Sequence, residues 1–198
     1  QDAVEAGFEL SIASSYRSYQ RQLKIWNGKA SGQRPVYDDR GQEIAVDALS
    51  AEEALQRILR FSAIPGGSRH HWGTDLDVYD ALSLPEGYDL QLSPEEVAPG
   101  GLFDSLHNWL DERMARGESH GFFRPYSEDR GGVAVERWHL SYAPVSRECE
   151  AAFSTDVLLH AWDGVAGTEE VLLRDVFERQ LPDVFARYIA VPKDWYRC

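Results

Sequence analysis

The chain has 198 residues, 43% hydrophobic and 12% aromatic, and a formal net charge of −13 at pH 7. That apolar content can build a sizeable core and excludes a disordered chain, and the length suits one domain or one domain with an appended helical piece. The acidic balance would repel a polyanion over most of the surface, which argues against nucleic acid as a partner.

No apolar run approaches the roughly 20 residues of a membrane helix, so no membrane span is expected. The chain opens at Gln1 rather than at methionine, so the compartment stays open, and nothing in the sequence fixes the oligomeric state. The two cysteines, Cys149 and Cys198, lack metal-ligand spacing; two unpaired thiols are favoured over a disulfide between them.

In chain order, "QDAVEAG" reads as the tail of a helix ended by Gly7. "FELSIAS" alternates as a strand, with Phe8, Leu10 and Ile12 on one face. "YRSYQRQLKIWNGKA" predicts a helix closing near Gly28, and residues 30–48 a long loop or hairpin. Ser50 and Glu53 form a capping box ahead of a helical stripe of Ala54, Leu55, Ile58 and Leu59. "IPGGS" stops that helix, and "TDLDVYD" alternates as a strand. Residues 81–100 are loop-like with a short helix at Ser93-Pro94; "LFDSLHNWLDERMARG" is an amphipathic helix ended by Gly117. "VERWHLSYA" is a strand, and the rest reads as two helices, about 146–163 and 168–190. The mix predicts an α+β fold, a small antiparallel sheet flanked by helices. Its core would span 1–145, with 146–198 a helical extension packed on it.

Three short segments carry chemistry. In "SRHHWGTDLDV" (68–78), His70 or His71 could meet Asp75 or Asp77 across a metal, and spacing alone does not choose. A catalytic zinc takes three protein ligands and leaves a position open for water, and imidazole with carboxylate fits that need. In "VERWHLSY", His139 is a candidate third ligand and Glu136 a candidate base, provided Glu136 sits at a bend shaped by Gly131-Gly132. In "SSYRSYQRQ", Arg17 falls between strand and helix, where a guanidinium can hold a carboxylate or steady an oxyanion; Gln22 follows on the helix.

Together these segments resemble the signature of the VanY-type D-alanyl-D-alanine carboxypeptidases. That signature runs roughly S-x-Y-R-S then Q, S-x-H-x-x-G-x-x-x-D, and E-x-W-H. The chain shows Ser14-Ser15-Tyr16-Arg17-Ser18 then Gln22, Ser68 through Asp77, and Glu136-Arg137-Trp138-His139, so the resemblance covers about residues 5–145. It implies one zinc (Zn2+) per chain held by His70, Asp77 and His139, with Glu136 as the catalytic base. It also implies that Arg17, Gln22 and Ser68 bind substrate and that Arg17 aids catalysis. Many relatives carry a small residue where Asp75 stands, so Asp75 is expected beside the metal as a further substrate contact. The implied activity is release of a C-terminal D-alanine from a peptidoglycan stem peptide or muropeptide, as a DD- or LD-carboxypeptidase. A peptidoglycan endopeptidase and a non-catalytic cell-wall binding module are the alternatives, the latter disfavoured by the intact Glu136.

The remaining candidates have plainer readings. His71 suits a structural role, and His107, His120 and His160 have no partner motif. Trp72, Trp138 and Tyr142 suit packing around the site. The tail aromatics Phe153, Trp162, Phe177, Phe185, Tyr188, Trp195 and Tyr196 suit a core.

Overall fold

The computed structural model describes residues 1–164 and 170–192. Helix α1 (Asp2–Glu5) leads into strand β1 (Leu10–Ser14), followed by helix α2 (Tyr19–Ala30). The 30–48 segment is a hairpin of β2 (Val36–Tyr37) and β3 (Glu43–Ile44). Helix α3 (Ala51–Leu59) starts on the expected capping box and buries Ala54, Leu55, Ile58 and Leu59. A 3-10 turn, Arg69–Trp72, precedes strand β4 (Asp75–Asp80). Helix α4 (Pro94–Val97) begins on a Ser93–Glu96 capping box, and helix α5 (Asp104–Ala115) ends just before Gly117. Strands β5 (Phe122–Phe123) and β6 (His139–Tyr142) complete a four-stranded antiparallel sheet in the order β1-β4-β6-β5.

Alternation along β4 decides which face does what. Leu76 and Val78 pack with Leu140 of β6 against Leu106 and Leu110 of α5. Asp75 and Asp77 turn the other way, opposite Ser141 and His139 respectively. The sheet therefore has one oily face under a helix and one face carrying the charged side chains.

Strand β1 forms where the alternation placed it. Phe8 packs beside the α5 cluster, but Leu10 and Ile12 are largely exposed. β1 is an edge strand, paired on one side to β4.

The tail also differs from the two helices expected. It forms α6 (Ala143–Ala152), α7 (Thr155–Gly164), α8 (Arg174–Arg179) and α9 (Leu181–Tyr188). Ser154 accepts the Val157 N–H and so starts a new helix where one continuous helix was read. Pro182 sits in the first turn of α9, where its missing N–H costs nothing, and this separates α9 from α8. Leu158, Trp162, Phe177, Val184, Tyr188 and Ile189 share the largest buried cluster with Leu23, Trp26, Leu55 and Ile58 of the first half. Trp195, Tyr196 and Cys198 lie outside the described residues, and so does any pairing of Cys198 with Cys149.

Candidate active site

Two backbone features aim the side chains. A register shift between Ile12 and Ser14 bends the end of β1, so that Ser14 to Arg17 wrap over the 3-10 turn. There the Arg17 N–H donates to the His70 carbonyl at 3.1 Å. Gly73 ends the 3-10 turn at φ +72°, a left-handed conformation that glycine adopts without strain, and the chain enters β4 directly.

His70, Asp77 and His139 converge, each offering one ligand atom, with those atoms within 4.8 Å of one another. All three residues are buried. Nε2 of His70 lies 3.3 Å from Asp77 Oδ2, and Nδ1 of His139 lies 3.4 Å from Asp77 Oδ1. The ring nitrogens are sorted by their outer partners. Nδ1 of His70 donates to the Ser15 carbonyl at 2.8 Å, which leaves Nε2 as the free lone pair. Nε2 of His139 donates to Asp75 Oδ2 at 2.9 Å, which leaves Nδ1 facing inward.

The donor set fits a zinc ion. It holds two imidazoles and a carboxylate with no thiol, the composition of a catalytic zinc site. Asp77 Oδ1 is buried without a hydrogen-bond partner, an arrangement that is costly unless a cation completes it. Burial works against ionisation of Asp77, yet the adjacent His70 and the charges of His139 and Arg17 hold the carboxyl below its ordinary value. Burial also opposes a charged His139, but bonds to Asp75 and Glu136 and the Asp77 charge outweigh it and push the imidazole up to about 10.

Glu136 lies at the bend expected for it. The His139 N–H donates to the Glu136 carbonyl, and Glu136 Oε2 stands 3.2 Å from His139 Nδ1. Upstream of it the chain packs closely on the tail: a Cβ on Gly132 would collide with the Arg187 carbonyl of α9, so only glycine allows that approach.

Arg17 reaches the same cavity, of about 230 Å³, lined also by Ser68, His70, Asp77, Tyr126, Glu136 and His139. Its Nη1 donates to Gln22 Oε1 at 3.0 Å and its Nη2 to Ser14 Oγ at 3.1 Å, while Nε has no acceptor. Nη2 also stands 3.9 Å from Asp77 Oδ2.

Two expected substrate contacts are placed elsewhere. Gln22 is fully buried; its amide joins Arg17 to the Ala63 carbonyl and offers nothing to the cavity. Asp75 is also fully buried, behind His139, and does not line the cavity. Ser68 does line the cavity. His71 is turned away from the ligand cluster, donating from Nδ1 to the Arg17 carbonyl and accepting the Gly66 N–H at Nε2. Trp138 is buried in a small cluster with Val97 and Phe103, and Trp72 stacks over Arg69.

Sequence reasoning passed over Tyr126 and Arg69. The Tyr126 ring stands edge-on to His139 at 5.0 Å, and burial pushes its phenol well above the ordinary value. Arg69 adjoins His70 in the chain, which was the available signal.

Residues 1–145 match the family model VanY, D-alanyl-D-alanine carboxypeptidase. A Haemophilus influenzae protein described as uncharacterized is 36% identical over 128 residues, covering 64% of this chain and 92% of its own. A D-alanyl-D-alanine carboxypeptidase of Enterococcus faecalis is 27% identical over 148 residues, covering 73% of this chain but 44% of its own length. The solved structure of VanYB in complex with D-alanine-D-alanine aligns over 75% of this chain and 67% of that one, at 21% identity and a TM-score of 0.47. With the family model matched over the whole segment that carries the donor cluster, the chain belongs to the VanY family of D-alanyl-D-alanine carboxypeptidases and is a zinc-dependent peptidase.

Proposed function

We propose that this chain is a zinc carboxypeptidase that releases the C-terminal D-alanine of a peptidoglycan stem peptide or muropeptide, with one zinc per chain at His70, Asp77 and His139. The observation that carries the reading is the meeting of that donor cluster with Glu136 and Arg17 on one cavity. Zinc, when bound, supplies a Lewis acid that acidifies water and polarises a carbonyl. Glu136, beside the ligands, takes the proton of the attacking water and returns it to the departing amine. Arg17 is a cation on the wall of that cavity, its guanidinium 3.9 Å from Asp77. It binds the free α-carboxylate next to the scissile bond, in a protein whose net charge would otherwise repel that anion. Ser68 lies along the same wall as a further polar contact. Gln22 and Ser14 hold the guanidinium in place. A cation serving a chain terminus favours a carboxypeptidase over an endopeptidase.

Incubation of the zinc-loaded protein with pentapeptide and tetrapeptide muropeptides, with products identified by mass, tests this. Loss of one alanine residue is the expected result. Loss from the pentapeptide marks cleavage between two D-alanines; loss from the tetrapeptide marks an LD-carboxypeptidase. Internal cleavage, or intact peptides with zinc bound, would overturn the proposal.

A further inference from the structure

Behind the ligand cluster lies a buried set of charges that the hydrolytic chemistry does not use. Asp75 has no exposed surface and accepts four hydrogen bonds. Oδ2 takes them from Arg69 Nε and His139 Nε2, both at 2.9 Å. Oδ1 takes them from Thr74 Oγ1 at 2.6 Å and Ser141 Oγ at 2.8 Å. Arg69 is itself buried, between the rings of Trp72 at 4.6 Å and Phe123 at 5.8 Å. It donates further to Ser141 Oγ at 2.9 Å and to Glu150 of α6. Glu150 in turn accepts the Val191 N–H, just beyond α9, at 2.9 Å. An unbroken chain of polar contacts thus runs from the tail to a ligand imidazole.

Buried ion pairs are a poor route to stability, because desolvation offsets most of the attraction and apolar side chains would serve as well. This set does something that apolar side chains would not. All four neighbours of Asp75 are donors, so only a carboxylate accepts from every one of them. The rings of Tyr126 at 5.0 Å and His70 at 4.8 Å limit the tilt of the His139 ring, Asp77 and Glu136 stand 3.4 and 3.2 Å from its Nδ1, and Asp75 is the partner of Nε2. Accepting from Nε2 fixes a proton there, so that Nδ1, facing Asp77 and Glu136, is the nitrogen that gives up its proton and presents a lone pair when a metal binds.

We propose that Asp75 is a positioning residue that holds His139 in the tautomer and orientation presenting Nδ1 to the metal, and that Arg69 and Glu150 brace it from the C-terminal helices. This rests on the zinc-site reading above. It gives the tail helices a part in the site without any contact with substrate.

The test is zinc affinity, measured by competition with a chelating dye on the parent, Asp75→Asn, Glu150→Gln and the double variant. Circular dichroism and thermal melting report the fold separately. Removing the partner of a ligating histidine costs about 10- to 100-fold in metal affinity, and Asp75→Asn is expected in that range. Glu150→Gln, at a partly exposed position, should weaken zinc several-fold. The double variant should be no weaker than Asp75→Asn, because both act through the same imidazole. Imidazole nitrogen shifts of the zinc-loaded parent should place the His139 proton on Nε2. If Asp75→Asn does not fold, Glu150→Gln decides: several-fold weaker zinc supports the proposal and parental affinity overturns it. A folded Asp75→Asn that binds zinc as the parent does would also overturn it. A parent that binds no zinc would instead overturn the metal-site reading on which it rests.

Discussion

Replacing Arg17 by alanine removes the cation assigned to the substrate's terminal carboxylate. It also strips Gln22 Oε1 and Ser14 Oγ of their donor. Truncating one partner of a buried, hydrogen-bonded charge pair costs about 2–5 kcal/mol. The Arg17 side chain keeps one-fifth of its exposure, 20%, so water screens part of the interaction and the low end applies. About 2 kcal/mol corresponds to a fall of roughly 30-fold in kcat/KM. Arg17→Lys keeps the charge but loses the planar fork that serves Gln22 and Ser14 at once, so it should fall between the parent and Arg17→Ala. The assay compares a peptide ending in a free carboxylate with its C-terminal amide, following product by mass. The parent should prefer the free acid by a similar factor, and Arg17→Ala should lose most of that preference, since both changes delete the same contact. Equal cleavage of acid and amide by the parent, or an undiminished preference in Arg17→Ala, would refute the assignment.

Glu136→Gln should keep zinc and lose about 10²- to 10⁴-fold in kcat, because an amide does not accept the proton; a variant retaining a third of the rate would remove Glu136 from the mechanism. In the metal-free protein His139 is pushed up to about 10, so zinc binding at pH 7–8 should displace about one proton, seen by calorimetry in buffers of different ionisation enthalpy. Affinity should therefore rise with pH until about 10, and proton-free binding would contradict this. His107 is fully buried, and burial together with Arg124 and Arg137 lowers its imidazole to about 3. Its folded pKa lies below the unfolded value near 6.5, so stability is complete above that pH and is lost as pH falls toward 3. Between pH 7.5 and 5 this amounts to about 2 kcal/mol, at about 1.4 kcal/mol per unit. Urea unfolding of His107→Leu at both pH values should show that dependence removed; an unchanged dependence would place it elsewhere.

Legibility of the molecule in its sequence followed the range of the forces involved. The Ser50 capping box, the alternation through Asp75 and Asp77, and the turn placing Glu136 ahead of β6 are local rules, and the structure keeps them. Exposure of Leu10 and Ile12 goes with the place of β1 at the edge of the sheet, which no periodicity in β1 contains. Gln22 and Asp75 sat within the motif stretches that pointed to the cavity, yet the fold places both behind the residues that reach it. The Arg69–Glu150 contact joins residues 81 positions apart, and the tail helix that supplies Glu150 carries no motif of its own. Chemistry was legible where residue types and short spacing suffice; the supporting partners appear only when distant segments pack.

The most direct measurement of the central claim is the zinc content of the protein together with its zinc K-edge X-ray absorption spectrum. The account predicts one zinc per chain with two imidazoles, light oxygen or nitrogen scatterers and no sulfur, and loss of that metal in His70→Ala, Asp77→Ala and His139→Ala. A metal-free protein after zinc-supplemented purification, a sulfur ligand, or undiminished zinc in any of the three variants would contradict it.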